Sequence, residues 1–196
     1  MADSETDPRS LVSTPRNIFL IGPMGSGKSA VGRALARLCK RKFVDSDIEI
    51  ERRTGVDIPF IFEKEGETGF RVREREALEE LTQRSGIVLA TGGGAILLPE
   101  NQQALRSRGV VVYLKASIDQ QVARTRHGRH RPLLLDIDPR VRLTELMSVR
   151  EPTYLTLAHL AVSTDRRKVQ SVAHDIYTEL IAMGIIDAPP EPVDSE

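Results

Sequence analysis

The segment Gly22-Pro23-Met24-Gly25-Ser26-Gly27-Lys28-Ser29 constrains this chain more than any other. It follows the apolar run 18–21 and precedes residues 29–40, where Val31, Leu35 and Leu38 recur at helical spacing. A short apolar run closed by glycines suits a strand buried on both faces, so the local order is strand, glycine-rich turn, helix. In that context the pattern GxxxxGK[ST] describes a phosphate cradle. Its glycines let backbone N–H groups turn inward, and the helix N-terminus adds positive potential. Gly25, Ser26, Gly27, Lys28, Ser29 and Ala30 are expected to wrap nucleotide phosphates. Lys28 would reach the β- and γ-phosphates, and Ser29 would ligate Mg2+.

The same alternation continues along the chain. Residues 42–45, 87–90, 110–114 and 159–163 are short β-branched or apolar runs separated by helix-like segments. Five strands interleaved with helices predict an α/β three-layer sandwich around a five-stranded parallel sheet. The longer helices are expected over 57–82 and 138–157, with an amphipathic closing helix over 168–182. Residues 1–16 and 184–196 read as disordered tails around a single domain at 17–183.

Composition narrows the function. The 28 basic and 28 acidic residues cancel, which argues against a general nucleic-acid binder, since such binding needs a surplus of cations. No run approaches the roughly 18 apolar residues of a membrane span, and the polar start lacks a signal-peptide pattern. A cytoplasmic protein without membrane or nucleic-acid partners is expected. Cys39, the single cysteine, has no internal partner and falls in a helical pattern, where a buried or half-buried side chain is the expectation.

A phosphate loop alone does not separate a kinase from a GTPase or a motor, so the remaining motifs carry that choice. Asp45 and Asp47 end the second strand, where ligands of open α/β sheets bind. In extended chain their side chains would point opposite ways. Asp45 could hold Mg2+ through water and Asp47 could accept a proton from a substrate hydroxyl. The alternative for Asp47 is a cap on the following helix. Thr91 is followed by Gly92, Gly93 and Gly94, a run without side chains that permits close approach of a ligand or positive φ. Arg71 and Arg150 lie on helical stretches, where a surface salt bridge is the default, Glu74 being the partner of Arg71 one turn away. Residues 124–131 hold four arginines and two histidines and no acid.

Taken together, the phosphate loop, Asp-Ser-Asp at 45–47, Phe-Arg-x-x-Glu at 70–74, the triple glycine, Arg-Pro at 131–132 and Arg-x-Pro-x-Tyr at 150–154 resemble the shikimate kinase family in order and approximate spacing. The resemblance covers about residues 17–182. It implies a P-loop kinase with a substrate-binding helical segment and a lid at about 125–138. Asp47 would bind shikimate, Arg71 and Arg150 its carboxylate, and Gly92, Gly93 and Gly94 would form the substrate loop. Arg131 would be the catalytic lid arginine that closes on the ATP phosphates. Arg124 would stack near adenine, with Arg167 on the other side of the base. Because Leu133, Leu134 and Leu135 would be costly to leave in water, some of them are expected to pack inward as a hinge or clasp. The implied partners are shikimate, ATP and Mg2+, and the chain is expected to be a monomer. The alternatives are another small-metabolite kinase such as a gluconate kinase, or a regulatory module that uses the loop as a switch.

Overall fold

The computed structural model describes residues 16–126 and 138–187. Strands β1 (Asn17–Ile21), β2 (Lys42–Asp45), β3 (Ile87–Ala90), β4 (Gly109–Lys115) and β5 (Leu160–Ser163) form one parallel sheet in the order β2-β3-β1-β4-β5. The alternation of β1 explains its central place. Ile18 and Leu20 pack with Val31 and Leu35 of α1 (Lys28–Leu38) and with Val172, Ile176 and Leu180 of α7 (Val169–Ala182). Phe19 and Ile21 face the other way, toward Leu78 and Leu81 of α3 (Ile58–Gln83), Leu105 of α4 (Pro99–Arg108) and Met147 and Tyr154 of α6 (Pro139–Leu157). Both faces of the sheet are therefore covered, as continuous apolar strands require. Truncating a residue such as the fully buried Phe19 to alanine would cost about 3–5 kcal/mol. No described helix is long and apolar enough to cross a membrane.

Helix ends account for the small departures from the expected bounds. The helix α1 stops at Leu38 because Lys40 takes φ 51° and the chain folds back, Arg41 N donating to Ala36 O at 2.8 Å. Cys39 is half-buried there, and burial pushes its thiol up to about 11, far from reactive at neutral pH. The helix α7 closes in the same manner on Gly184 (φ 65°), with Ile185 N donating to Leu180 O at 2.9 Å. Ile185 and Ile186 then pack against the α1–α7 core. Gly184 and Ile185 thus complete the helix terminus beyond residue 183.

Between β2 and β3 the chain forms α2 (Ser46–Thr54) and α3. The continuous helix expected over 57–82 is interrupted at Gly66, whose φ of 67° and ψ of −175° are not helical. These two helices share a small core of Ile50, Ile61, Phe70 and Ala77, with the rings of Phe62 and Phe70 4.8 Å apart. A 3-10 turn (Ala95–Leu97) follows the triple glycine, and α5 (Ile118–Thr125) follows β4.

Candidate functional site

The loop after β1 turns on glycines that no other residue replaces easily. Gly25 and Gly27 have φ of 77° and 88°, and Gly27 leads directly into α1. A Cβ on Gly22 would lie 2.5 Å from the carbonyl oxygen of Leu114, so β4 also fixes the loop. The helix α1 starts with no side-chain cap and no acid in its first turn, leaving its N–H groups and positive dipole end directed at the loop. Lys28 curls back to donate from Nζ to the carbonyls of Gly22 (2.7 Å) and Pro23 (2.8 Å). Ser26 is fully buried and Ala30 is exposed on the first turn of α1.

Ser29 and Asp45 meet across the ends of α1 and β2, the hydroxyl donating to Asp45 Oδ2 at 2.6 Å. Both are hard oxygen donors of the kind Mg2+ takes. Among the described residues no cluster of three metal-ligating side chains occurs, so an ion here would complete its shell with phosphate oxygens and water. The pair therefore fits Mg2+ delivered with a nucleotide. The expected geometry of Asp45 and Asp47 needs correction. They do not share an extended strand, because Asp45 is the N-cap of α2 and accepts from Asp47 N at 3.1 Å. The capping role considered for Asp47 thus belongs to Asp45, and Asp47 is left to face the pocket from the first turn. Its burial, with the nearby charges of Asp45 and Glu74, pushes its carboxyl up to about 7 against the pull of Lys28.

The arginines come together although they lie far apart in sequence. Arg71 donates to Glu67 from Nε and Nη2 (3.3 and 2.8 Å) and to Glu74 from Nη1 (2.5 Å). Burial works against its charge, but Glu74 and Glu67 hold it above its ordinary value. Arg150 is buried at 4% exposure, which pushes its guanidinium downward. Four residues on, and so on the same helix face, the hydroxyl of Tyr154 donates to Gly93 O at 2.5 Å, and its ring stacks on Tyr113 at 4.9 Å. The glycine run threads between these groups. A Cβ on Gly92 would collide with Glu74 Oε1 and lie 2.9 Å from Asp47 Oδ1, and one on Gly94 would collide with the Arg71 guanidinium. None of the three has positive φ. At Gly92 and Gly94 the site's own side chains thus approach the backbone too closely to leave room for a Cβ. Gly93 differs: its Cβ would lie 3.5 Å from Gly22 O and Met24 N and 3.8 Å from Arg150 Nη1, at the seam between the two loops.

Three groups that the sequence reading did not assign to the site emerge. Glu74, expected only as a helix-face partner, is fully buried. Burial pushes its carboxyl upward while Arg71 and Arg150 pull it back, and its Oε1 has no hydrogen-bond partner among the described residues. Ser46 accepts from Gly92 N at 3.0 Å and tethers the glycine run to α2. Tyr154 was visible only as part of a motif; its spacing from Arg150 was the one available signal.

Of the remaining candidates, Arg124 bridges the phosphate loop and the segment after β5, donating to Gly25 O (3.0 Å), Thr164 Oγ1 (3.0 Å) and Thr164 O (2.7 Å). Arg167 pairs instead with Asp175 (2.5 Å) and Ser171 (3.2 Å) of α7. The structure thus does not bring these two arginines onto a common partner. Arg131, residues 127–137 of the lid expected at 125–138, and with them Leu133, Leu134 and Leu135, lie outside the described residues.

Residues 24–181 match the family model described as Shikimate kinase. A shikimate kinase of Thioalkalivibrio sulfidiphilus is 57% identical over 160 residues, covering 82% of this chain and 84% of that protein. The solved structure of shikimate kinase from Acinetobacter baumannii in complex with shikimate is 48% identical with a TM-score of 0.85, covering 87% of this chain and 95% of that one. A gluconokinase structure from Sinorhizobium meliloti, covering 87% of this chain and 94% of that one, has a TM-score of 0.53 at 17% identity and shares the fold alone.

Proposed function

Because this chain belongs to the shikimate kinase family, we propose that its pocket binds ATP and shikimate and transfers the γ-phosphoryl group to the 3-hydroxyl. The product is shikimate 3-phosphate, on the route to chorismate and the aromatic amino acids. The observation that carries this reading is half-buried Arg71 with buried Glu74 and Arg150, set against Asp47 and the glycine run at the same carboxyl end of the sheet as the phosphate loop. Guanidinium forks match a carboxylate, and the phosphate loop matches a nucleoside triphosphate.

Phosphoryl transfer asks mainly for positioning and charge stabilisation. The backbone from Gly25 to Ala30 would hold the phosphates, and Lys28 would leave the Gly22 and Pro23 carbonyls for the β- and γ-oxygens. Ser29, and Asp45 through water, would hold Mg2+, which supplies charge neutralisation at those oxygens when bound. Arg71 and Arg150 would grip the shikimate carboxylate beside Gly92, Gly93 and Gly94. Asp47, with its carboxyl near 7, is suited to accept the hydroxyl proton at neutral pH. Arg131 and its lid are assigned to the γ-phosphate on sequence grounds. Arg124 and Arg167 are assigned to the adenine side, which Arg124 would reach by releasing Thr164. Residues 17–183 are read as one kinase domain, working as a monomer in the cytoplasm.

A coupled assay offering shikimate, gluconate and nucleoside monophosphates with Mg-ATP tests the reading. Turnover is expected with shikimate alone. Faster phosphorylation of gluconate or a nucleotide would overturn it.

A further inference from the structure

Arg71 is held by two carboxylates of different character. Glu74 has a side-chain exposure of 0% and Glu67 of 47%, while Arg71 itself is at 12%. The outer edge of the guanidinium, Nε and Nη2, is taken by the single oxygen Glu67 Oε1. That edge is the one a carboxylate would use for paired hydrogen bonds. Glu67 also lines, with Arg150, Leu97 and Leu146, a cavity of about 230 Å³ on the α6 side, so its charge bears on both arginines. Two arginines facing two glutamates present no net positive charge to an incoming anion.

We propose that Glu67 is a displaceable stand-in for the substrate carboxylate, and that it sets the specificity of the arginine pair by excluding anions that bind too weakly to evict it. The inference rests on the reading of Arg71 as part of the carboxylate clasp. Glu74 cannot leave, because it is buried beneath Gly92. Glu67 can. It follows the break at Gly66 and so opens the second segment of α3, where the free N–H groups and dipole stabilise a carboxylate released from Arg71. A shikimate-like acid has both a carboxylate for Arg71 and hydroxyls for the rest of the pocket, and gains enough contacts to displace it. A bare inorganic anion offers only charge and acceptor oxygens for Arg71.

The test is calorimetric titration of the full chain with shikimate, using Glu67→Gln, Arg71→Leu and the double variant, with inorganic sulfate as competitor. Glu67→Gln is expected to bind shikimate about two- to fivefold more tightly, the scale of a half-exposed ion pair. Sulfate should compete more strongly by a similar factor. In the Arg71→Leu background the second substitution should have a clearly smaller effect, since only the action of Glu67 on Arg150 remains. Unchanged or weaker shikimate binding by Glu67→Gln would overturn the proposal and make Glu67 a brace that positions Arg71. Glu67→Ala gives the same discrimination should the glutamine variant fail to fold. Normal shikimate binding by Arg71→Leu would remove the clasp reading itself, a separate failure.

Discussion

Between Gly22 and Ser29 the pocket wall is backbone, bent through left-handed glycines and anchored by β1, β4 and α1 on the large sheet core. Between Asp47 and Arg150 the wall is side chain, and almost every functional atom is a buried or half-buried charge. Part of that second wall stands on the small core of Ile50, Ile61, Phe70 and Ala77 and is interrupted at Gly66. The difference follows from what each side would bind. Phosphates are alike in every nucleotide and can be met by N–H groups that any sequence has. A particular small acid must be recognised by charges at fixed positions, and holding such charges out of water requires partners for each of them.

The largest effects should separate the two walls by ligand. Arg71→Leu and Arg150→Leu should each weaken shikimate binding by roughly 2–5 kcal/mol while ATP affinity, measured in parallel titrations, stays near that of the parent. Equal loss of both ligands would mean that the walls are not independent. Lys28→Ala should remove about 3 kcal/mol or more of transition-state stabilisation, read as turnover, with the melting temperature little changed. Near-native turnover would refute the phosphate-loop assignment.

Neighbouring glycines sharpen the comparison further. Gly92→Ala forces a methyl onto Glu74 and Asp47 and should lower stability by about 1–3 kcal/mol even without ligands. Gly93→Ala meets only ordinary contact distances, so its melting temperature should hold while affinity for shikimate falls. Similar melting behaviour of the two variants would contradict the packing described for the run.

The smallest effect concerns pH. Asp47 is raised from 3.8 to about 7 by burial, so its contribution to stability is full below about 4 and is lost as pH rises through 7. Above that range the unliganded protein holds a buried charge that it would hold more cheaply in water. Asp47→Asn should therefore melt higher than the parent at pH 8, converging with it only toward pH 4, while losing activity. A gain independent of pH would show that the charge is not the cause.

How much of this was legible in the sequence depended on range. The strands at 42–45 and 87–90 coincide with β2 and β3 because an apolar run bounded by polar and glycine signals fixes its own ends. The phosphate loop was legible for the same reason, all of its parts being contiguous. Asp45 as the cap of α2 was missed because two aspartates one residue apart compete for one role, and only the observed turn decides between them. Glu74 looked like a surface partner of Arg71, since helical spacing says nothing about what lies opposite; its burial comes from the glycine run of a different strand. The reason for those glycines was likewise hidden, because φ freedom and close approach leave the same letters in a sequence.

That close approach has a consequence for how such a pocket can change over generations. Gly92 cannot gain a side chain while Glu74 is full length, and Gly94 cannot while Arg71 is present. Arg71 and Glu74 neutralise each other, so losing either alone strands a charge in the interior. A lineage drifting toward a new acceptor therefore loses stability or binding at any single step among these four positions, and paired replacements are the gentler route.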